Sequence, residues 1–236
     1  MKEIRLILAS QSPRRLEILR QIGFQPEVIV SGIEEHTEET IPERVVMDLS
    51  RQKAGNVAAR LAASLVPVND LAGRKSRTKA ASDRETSGQE PAESRQEPLD
   101  SRREPSVVVL GADTVVCTGG RILGKPHSHE EAEEMIRLLQ GRTHQVCSGV
   151  TLIELRSGRS LTFAEKTEVE VAPMTNEEIH DYAYSAEPMD KAGGYGIQGF
   201  FGRYIAGIRG DYTNVVGLPA GAVYQSLKQL FREGQR

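Results

Sequence analysis

The stretch that most constrains the chain is an apolar run that ends abruptly in hydroxyls, a proline and two cations: Arg5-Leu6-Ile7-Leu8-Ala9-Ser10-Gln11-Ser12-Pro13-Arg14-Arg15. Pro13 suits the first position of a helix, because the N–H it lacks would go unsatisfied there and its φ is already helical. The stretch therefore predicts a strand whose carboxyl end feeds directly into a helix. Backbone N–H groups, two hydroxyls and two guanidinium groups then converge at one point, as they do where proteins hold phosphate or another anion. The same residues also fit an ordinary helix cap followed by solvated arginines.

A chain of 236 residues can build one sizeable core or two small lobes. Its formal net charge of -3 leaves no global basic footprint, so neither nucleic acid nor an anionic membrane is an expected partner. A small anionic ligand held by a local cluster stays open. Cys117 and Cys147 lie far apart, with no His or Cys at ligand spacing, and read as reduced core residues of a cytoplasmic protein. The N-terminal segment enters a strand pattern at once, and no apolar stretch is long enough to span a bilayer, so no export signal is expected.

Along the chain, Leu16, Leu19 and Ile22 give the first helix an apolar face, and Glu27 to Ser31 reads as a second strand. A long helix from about Pro42 carries the stripe Val45, Val46, Leu49, Val57, Ala58, Leu61 and Leu65. From Gly73 to Ser106 the character changes: Leu99 is the one large aliphatic residue, aromatics are absent, and opposite charges nearly cancel among Ser, Gln, Pro and Gly. Such a segment cannot bury enough apolar surface to offset its ordering entropy, so it reads as a disordered insertion at about 73–106 within a single domain. Val107 to Leu110 is a strand buried on both faces, leading to Gly111-Ala112-Asp113-Thr114 and a Gly119-Gly120 turn. Capping boxes at Ser128–Glu131 and Thr175–Glu178 open two further helices. Alternating strands over about 143–155 and 161–171, a glycine-dense tract from Gly193 to Gly199, a strand over 203–208 and a final helix complete the pattern. The fold class is α/β, a mixed sheet in two lobes with a cleft between them.

Ser10 and Asp113 each follow a strongly apolar strand, and ligands of open α/β sheets gather beyond such strand ends. A carboxylate at Asp113 could bind Mg²⁺ or take a proton from water; it could equally be a turn residue. Glu34 and Glu35 follow another strand end and could add a second carboxylate or form a solvated turn. Lys53 falls inside the apolar stripe of the long helix, where it either snorkels past the core edge or points its ammonium into a cleft. Lys125 leaves a hairpin, and Asp190-Lys191 precedes the glycine tract, where backbone could approach a ligand closely. His127 and His129 read as structural or solvent-facing. Phosphate-loop, zinc-protease and nucleophile-elbow motifs are missing from the sequence.

Five segments stand in order across nearly the whole chain outside the insertion. They are Leu8 to Arg15, Gly111 to Thr114, Gly124-Lys125-Pro126, Glu187 to Gly193 with Gly196-Ile197-Gln198-Gly199, and Val216-Gly217-Leu218-Pro219. In these the sequence resembles the Maf-type nucleoside triphosphate pyrophosphatase family. The resemblance implies an elongated mixed α/β fold like that of inosine triphosphate pyrophosphatases, a nucleotide cleft between lobes, and a homodimer. It also places the chain by substrate: Arg14, Thr114 and Gln198 match the branch acting on dTTP and UTP, and the Trp, Gln and Glu of the 7-methyl-GTP branch are absent at these positions. The implied reaction cleaves between the α- and β-phosphates. Asp113 would activate water, directly or through a divalent cation (Mg²⁺ or Mn²⁺) that Glu35 helps to hold. Arg14, Arg15, Lys53 and Lys125 would neutralise the triphosphate, Ser10 would donate to phosphate oxygens, and Thr114 and Gln198 would read or shape the base pocket. The alternatives are the same chemistry on 7-methyl-GTP or a noncanonical purine, or a non-catalytic septation regulator that binds nucleotide or a protein partner.

Overall fold

The computed structural model describes residues 4–65 and 105–232. The predicted insertion, apart from its last two residues, and the Leu65 side chain lie outside the described residues. The strand that follows begins at Ser106, the last residue assigned to the insertion. It is the axis of the molecule, and the other elements are best placed relative to it.

In chain order the elements are β1 (Ile4–Leu8), α1 (Pro13–Gln21), β2 (Glu27–Val28), α2 (Pro42–Leu65), β3 (Ser106–Thr118), β4 (Arg121–Leu123) and α3 (His129–Leu139). They continue with β5 (Thr143–Glu154), β6 (Ser160–Val171), α4 (Asn176–Ala183), β7 (Ile205–Arg209), α5 (Tyr212–Val216) and α6 (Ala220–Arg232). Three short 3-10 turns lie between α4 and β7. The sheet runs β2-β1-β3-β5-β6-β7, with β4 added to β3. β1 is parallel to β2 and β3, and the remaining pairings are antiparallel.

Two expectations change here. The second strand shrinks to two residues, because β1 ends at Leu8 and offers no further partner; Val30 instead turns its carbonyl to Arg60 of α2. Asp113 and Thr114 do not follow a strand end. They sit in the middle of β3, which has thirteen residues and spans roughly 40 Å at the usual rise of a strand. What ends near them is the neighbour. β1 pairs with β3 as far as Leu110 and β4 takes over at Val116, so between these points that edge of β3 has no strand beside it.

The side-chain alternation of β3 assigns its two faces. Val109 packs with Ile7, Ala54 and Val57 under α2, and Val115, Cys117 and Cys147 pack with Val45 and Val46 of the same helix. Val108, Leu110 and Ala112 face the other way, into a core closed by α1 and α6. Farther along, Val116 joins Ile136, Leu139 and Tyr182 in a second core closed by α3 and α4. Two apolar cores thus share one sheet, and these are the two lobes. Helix α2 lies unusually close to the sheet because β3 and β5 present glycines beneath it. A Cβ on Gly111 would stand 2.7 Å from the Ala54 nitrogen, and one on Gly149 2.6 Å from that of Met47. Both cysteines are free and buried. Of the two capping boxes, Thr175–Glu178 is complete, whereas at Ser128 the Glu131 carboxylate takes the His127 N–H instead.

Candidate active site

The unpaired edge of β3 opens into a cleft of about 680 Å³, which is within the range of small-molecule sites. Because adjacent strand residues point to opposite faces, Asp113 reaches the cleft from the α2 side and Thr114 from the α1 side. An open edge is where both can line one cavity.

On the α2 side, the close seating of the helix brings Lys53 within reach of Asp113. Its ammonium donates to Asp113 Oδ1 at 2.6 Å and pairs with Glu35 Oε2 at 3.0 Å. The Lys53 and Asp113 side chains are only 12% and 16% exposed, so their pairing is poorly screened. Lys53 therefore does not snorkel to solvent; its stem lies in the stripe and its tip is in the cleft. Asp113 Oδ2 makes no hydrogen bond to the described residues.

On the α1 side the centre is Arg15, which is buried. Its Nε donates to the Gly217 carbonyl at 2.9 Å, Nη1 to Ser10 Oγ at 3.0 Å and Nη2 to Thr114 Oγ1 at 3.1 Å. One guanidinium thus ties together three of the five segments singled out in the sequence. Burial pulls its pKa down, an effect opposed first by the nearby Asp113 carboxylate. Thr114 Oγ1 is also within 2.8 Å of Ser148 Oγ, directly across on β5, and 3.3 Å from the Gly217 carbonyl. Ser10 Oγ accepts from the Ser12 N–H and from Arg15, which leaves its own proton to donate. Pro13 opens α1 as expected, although the Ser12 side chain makes no cap.

Arg14 spans the cleft to Asp190 at 3.1 Å, and Asp190 also pairs with Lys191 at 2.6 Å. Lys125 and Gln198 line the cleft, both exposed and without a hydrogen bond among the described residues. The structure thus gathers every residue singled out as a site candidate: Ser10, Arg14, Arg15, Glu35, Lys53, Asp113, Thr114, Lys125 and Gln198. Ser148 was missed, since a serine inside an apolar strand pattern carries no signal until its partner across the ladder is known. His129, by contrast, bonds the Ala183 carbonyl and joins α3 to α4.

Five cations and three carboxylates line the cleft, so it is locally positive within a chain of net negative charge. A mixed α/β sheet with such a cleft at an open strand edge, acidic on one wall and guanidinium-lined on the other, defines a protein built to take a polyanion beside a proton acceptor. The sequence comparisons narrow this class. Residues 5–230 match the family described as Maf-like protein, and the chain belongs to that family. It is 43% identical to a protein named dTTP/UTP pyrophosphatase from Agathobacter rectalis, over 95% of this chain and 97% of the relative. Proteins of the same name from Lachnoclostridium phytofermentans and Carboxydothermus hydrogenoformans are each 38% identical, over 95% and 96% of this chain and 94% and 98% of theirs. A solved HAM1 protein from Coxiella burnetii aligns over 72% of this chain and 74% of its own at 11% identity, with a TM-score of 0.35, too low to support an argument.

Proposed function

We propose that the chain is a nucleoside triphosphate pyrophosphatase that hydrolyses dTTP and UTP to the monophosphate and pyrophosphate. The observation that carries this reading is the Lys53 ammonium held between Asp113 and Glu35 in a cleft rich in cations. The relatives' name supports the substrate.

In this reading Arg14 exchanges Asp190 for phosphate oxygens. That pair is partly exposed and contributes little, so the exchange costs little. Lys125 and Lys53 add positive charge along the polyphosphate, and the Ser10 hydroxyl and the start of α1 donate hydrogen bonds. As pyrophosphate departs its oxygens gain charge, and cations already fixed around them lower the barrier without reorganising. Asp113 accepts the proton of the attacking water through Oδ2, while the Lys53 bond to Oδ1 fixes the carboxylate plane. Arg15 holds Ser10, Thr114 and Gly217 in register, and two of its five N–H groups remain for a phosphate oxygen. Thr114, engaged on three sides, shapes the pocket, and Gln198 reads the base edge.

Among the described residues no cluster of three or more metal-ligating side chains occurs. Two carboxylate oxygens already converge on one cation, however, and two carboxylates completed by substrate phosphates and water match the donor set of Mg²⁺. Asp113 and Glu35 would hold the ion, and a bound Mg²⁺ or Mn²⁺ would neutralise phosphate charge and acidify a water. No described helix is long and apolar enough to cross a membrane. A cytoplasmic location accords with the two free cysteines, and a single domain interrupted at about 73–106 and paired as a homodimer accords with the family resemblance.

The test is Asp113→Asn, which keeps the side-chain shape. Pyrophosphate release from dTTP is expected to fall by about a hundred- to ten-thousandfold with the melting temperature little changed. Full activity in a folded variant would overturn the role of Asp113.

A further inference from the structure

Gln198 sits at the tip of a segment that has no regular secondary structure and few apolar contacts of its own, so something else must hold it still. The turn from Gly196 to Gly199 closes on itself through the Gly199 N–H and the Gly196 carbonyl, at 3.1 Å. A single tight turn of this kind does not fix the direction of a side chain at its tip. The fixing group is the Glu187 carboxylate, eleven residues upstream of Gln198 in the chain. Its Oε2 accepts the Phe200 N–H at 2.7 Å, immediately after the turn, and its Oε1 accepts the hydroxyl of Tyr182 at 3.1 Å. Tyr182 is fully buried in the core under α4, so the carboxylate bolts the turn to a rigid part of the molecule.

The glycines confirm how closely the turn is wrapped on this group. A Cβ on Gly199 would fall inside the Glu187 carboxylate, and one on Gly196 would stand 2.6 Å from Lys191 Cε and 3.6 Å from Glu187 Oε1. The Lys191 ammonium in turn donates to the Glu187 carbonyl at 2.5 Å and to Asp190 at 2.6 Å. At the other end of the tract Tyr195 is fixed independently, its hydroxyl 2.7 Å from His144 Nε2. The tract is therefore anchored before and after Gln198, and the anchor after it is Glu187.

We infer that Glu187 is a positioning residue for base selection: its carboxylate holds the Gly196–Gly199 turn so that Gln198 meets the nucleobase in one orientation. Glu187 itself touches no substrate. The inference rests on the reading of Gln198 as the residue that reads the base. Thymine and uracil present a carbonyl where cytosine presents an amino group, so a fixed amide discriminates between them and a wandering amide does not.

The experiment measures kcat and KM for dTTP and dCTP in the wild type and in Glu187→Ala, Glu187→Gln and Gln198→Ala, with melting temperatures as fold controls. Glu187→Ala is expected to reduce the preference for dTTP about tenfold, through KM, with kcat within about twofold. Glu187→Gln keeps the side-chain volume and one carbonyl oxygen, and is expected to lose about threefold. A loss of folded protein alone would lower kcat and leave the dTTP to dCTP preference intact. Should Gln198→Ala lose the preference while a folded Glu187→Ala keeps it, the role of Glu187 is overturned alone. If Glu187→Ala does not fold, unchanged preference in Glu187→Gln overturns it. Unchanged preference in Gln198→Ala overturns the inference together with the base-reading role on which it rests.

Discussion

Lys53 shows how much one residue can contribute at this site and how little of that is visible in isolation. Its spacing between Leu49 and Val57 puts it on a buried stripe, which left two readings open; the deciding fact is that Asp113 lies opposite, on a strand far away in sequence. His144 makes the complementary point, since it gave no signal in the sequence. It is 2% exposed, its Nε2 meets the Tyr195 hydroxyl, and its Nδ1 has no partner among the described residues. Burial lowers its pKa from 6.5 to about 4. Because the folded value is the depressed one, the unfolded chain binds the proton more readily, and stability falls as pH drops from about 6.5 toward 4. The loss at the acid end is about 3 kcal/mol, read as a fall in the urea midpoint between pH 7.5 and pH 4. A His144→Gln variant should lose this part of the pH dependence; an unchanged slope in that variant would assign the effect elsewhere.

At the scale of elements, the sequence is most legible where a local rule decides. The strand-to-helix turn at Pro13, the capping box at Thr175 and the buried strand after the insertion all follow from short-range chemistry, and all are present. It is least legible where an element depends on its neighbour. β2 is short because β1 stops, and Asp113 looked like the residue after a strand because the sequence does not reveal that β5 pairs with β3 well past Leu110. Ser148 and Glu187 escaped notice as site candidates for the same reason, since their partners are fixed by pairing and packing. The seating of α2 is another tertiary fact with a testable cost. Gly149→Ala puts a methyl group where the Val46 carbonyl now lies, so the helix must lift. About 1–3 kcal/mol of stability should be lost. Pyrophosphate release should fall with it, because Lys53 rides on the same helix. A variant with both properties intact would show that the helix tolerates the shift.

At the scale of the molecule, the cleft exists because a continuous sheet leaves one strand edge uncovered between two cores. That gap lets neighbouring residues on opposite faces of β3 serve one cavity: Asp113 with Lys53 and Glu35 on one side, Thr114 with Arg15 and Ser148 on the other. The acid and base chemistry and the pocket-shaping network are therefore built on separate layers of the fold and joined only at the edge. Substrate choice belongs to the whole cleft, so it is there that the account is most exposed. The most direct measurement is pyrophosphate released by the wild-type chain from dTTP, UTP, 7-methyl-GTP, ITP and dGTP, each with Mg²⁺ and with Mn²⁺. The account predicts turnover of dTTP and UTP, with one pyrophosphate for each monophosphate and at least about tenfold lower kcat/KM for the purines. Equal turnover of the purines, or release of orthophosphate in place of pyrophosphate, would contradict it.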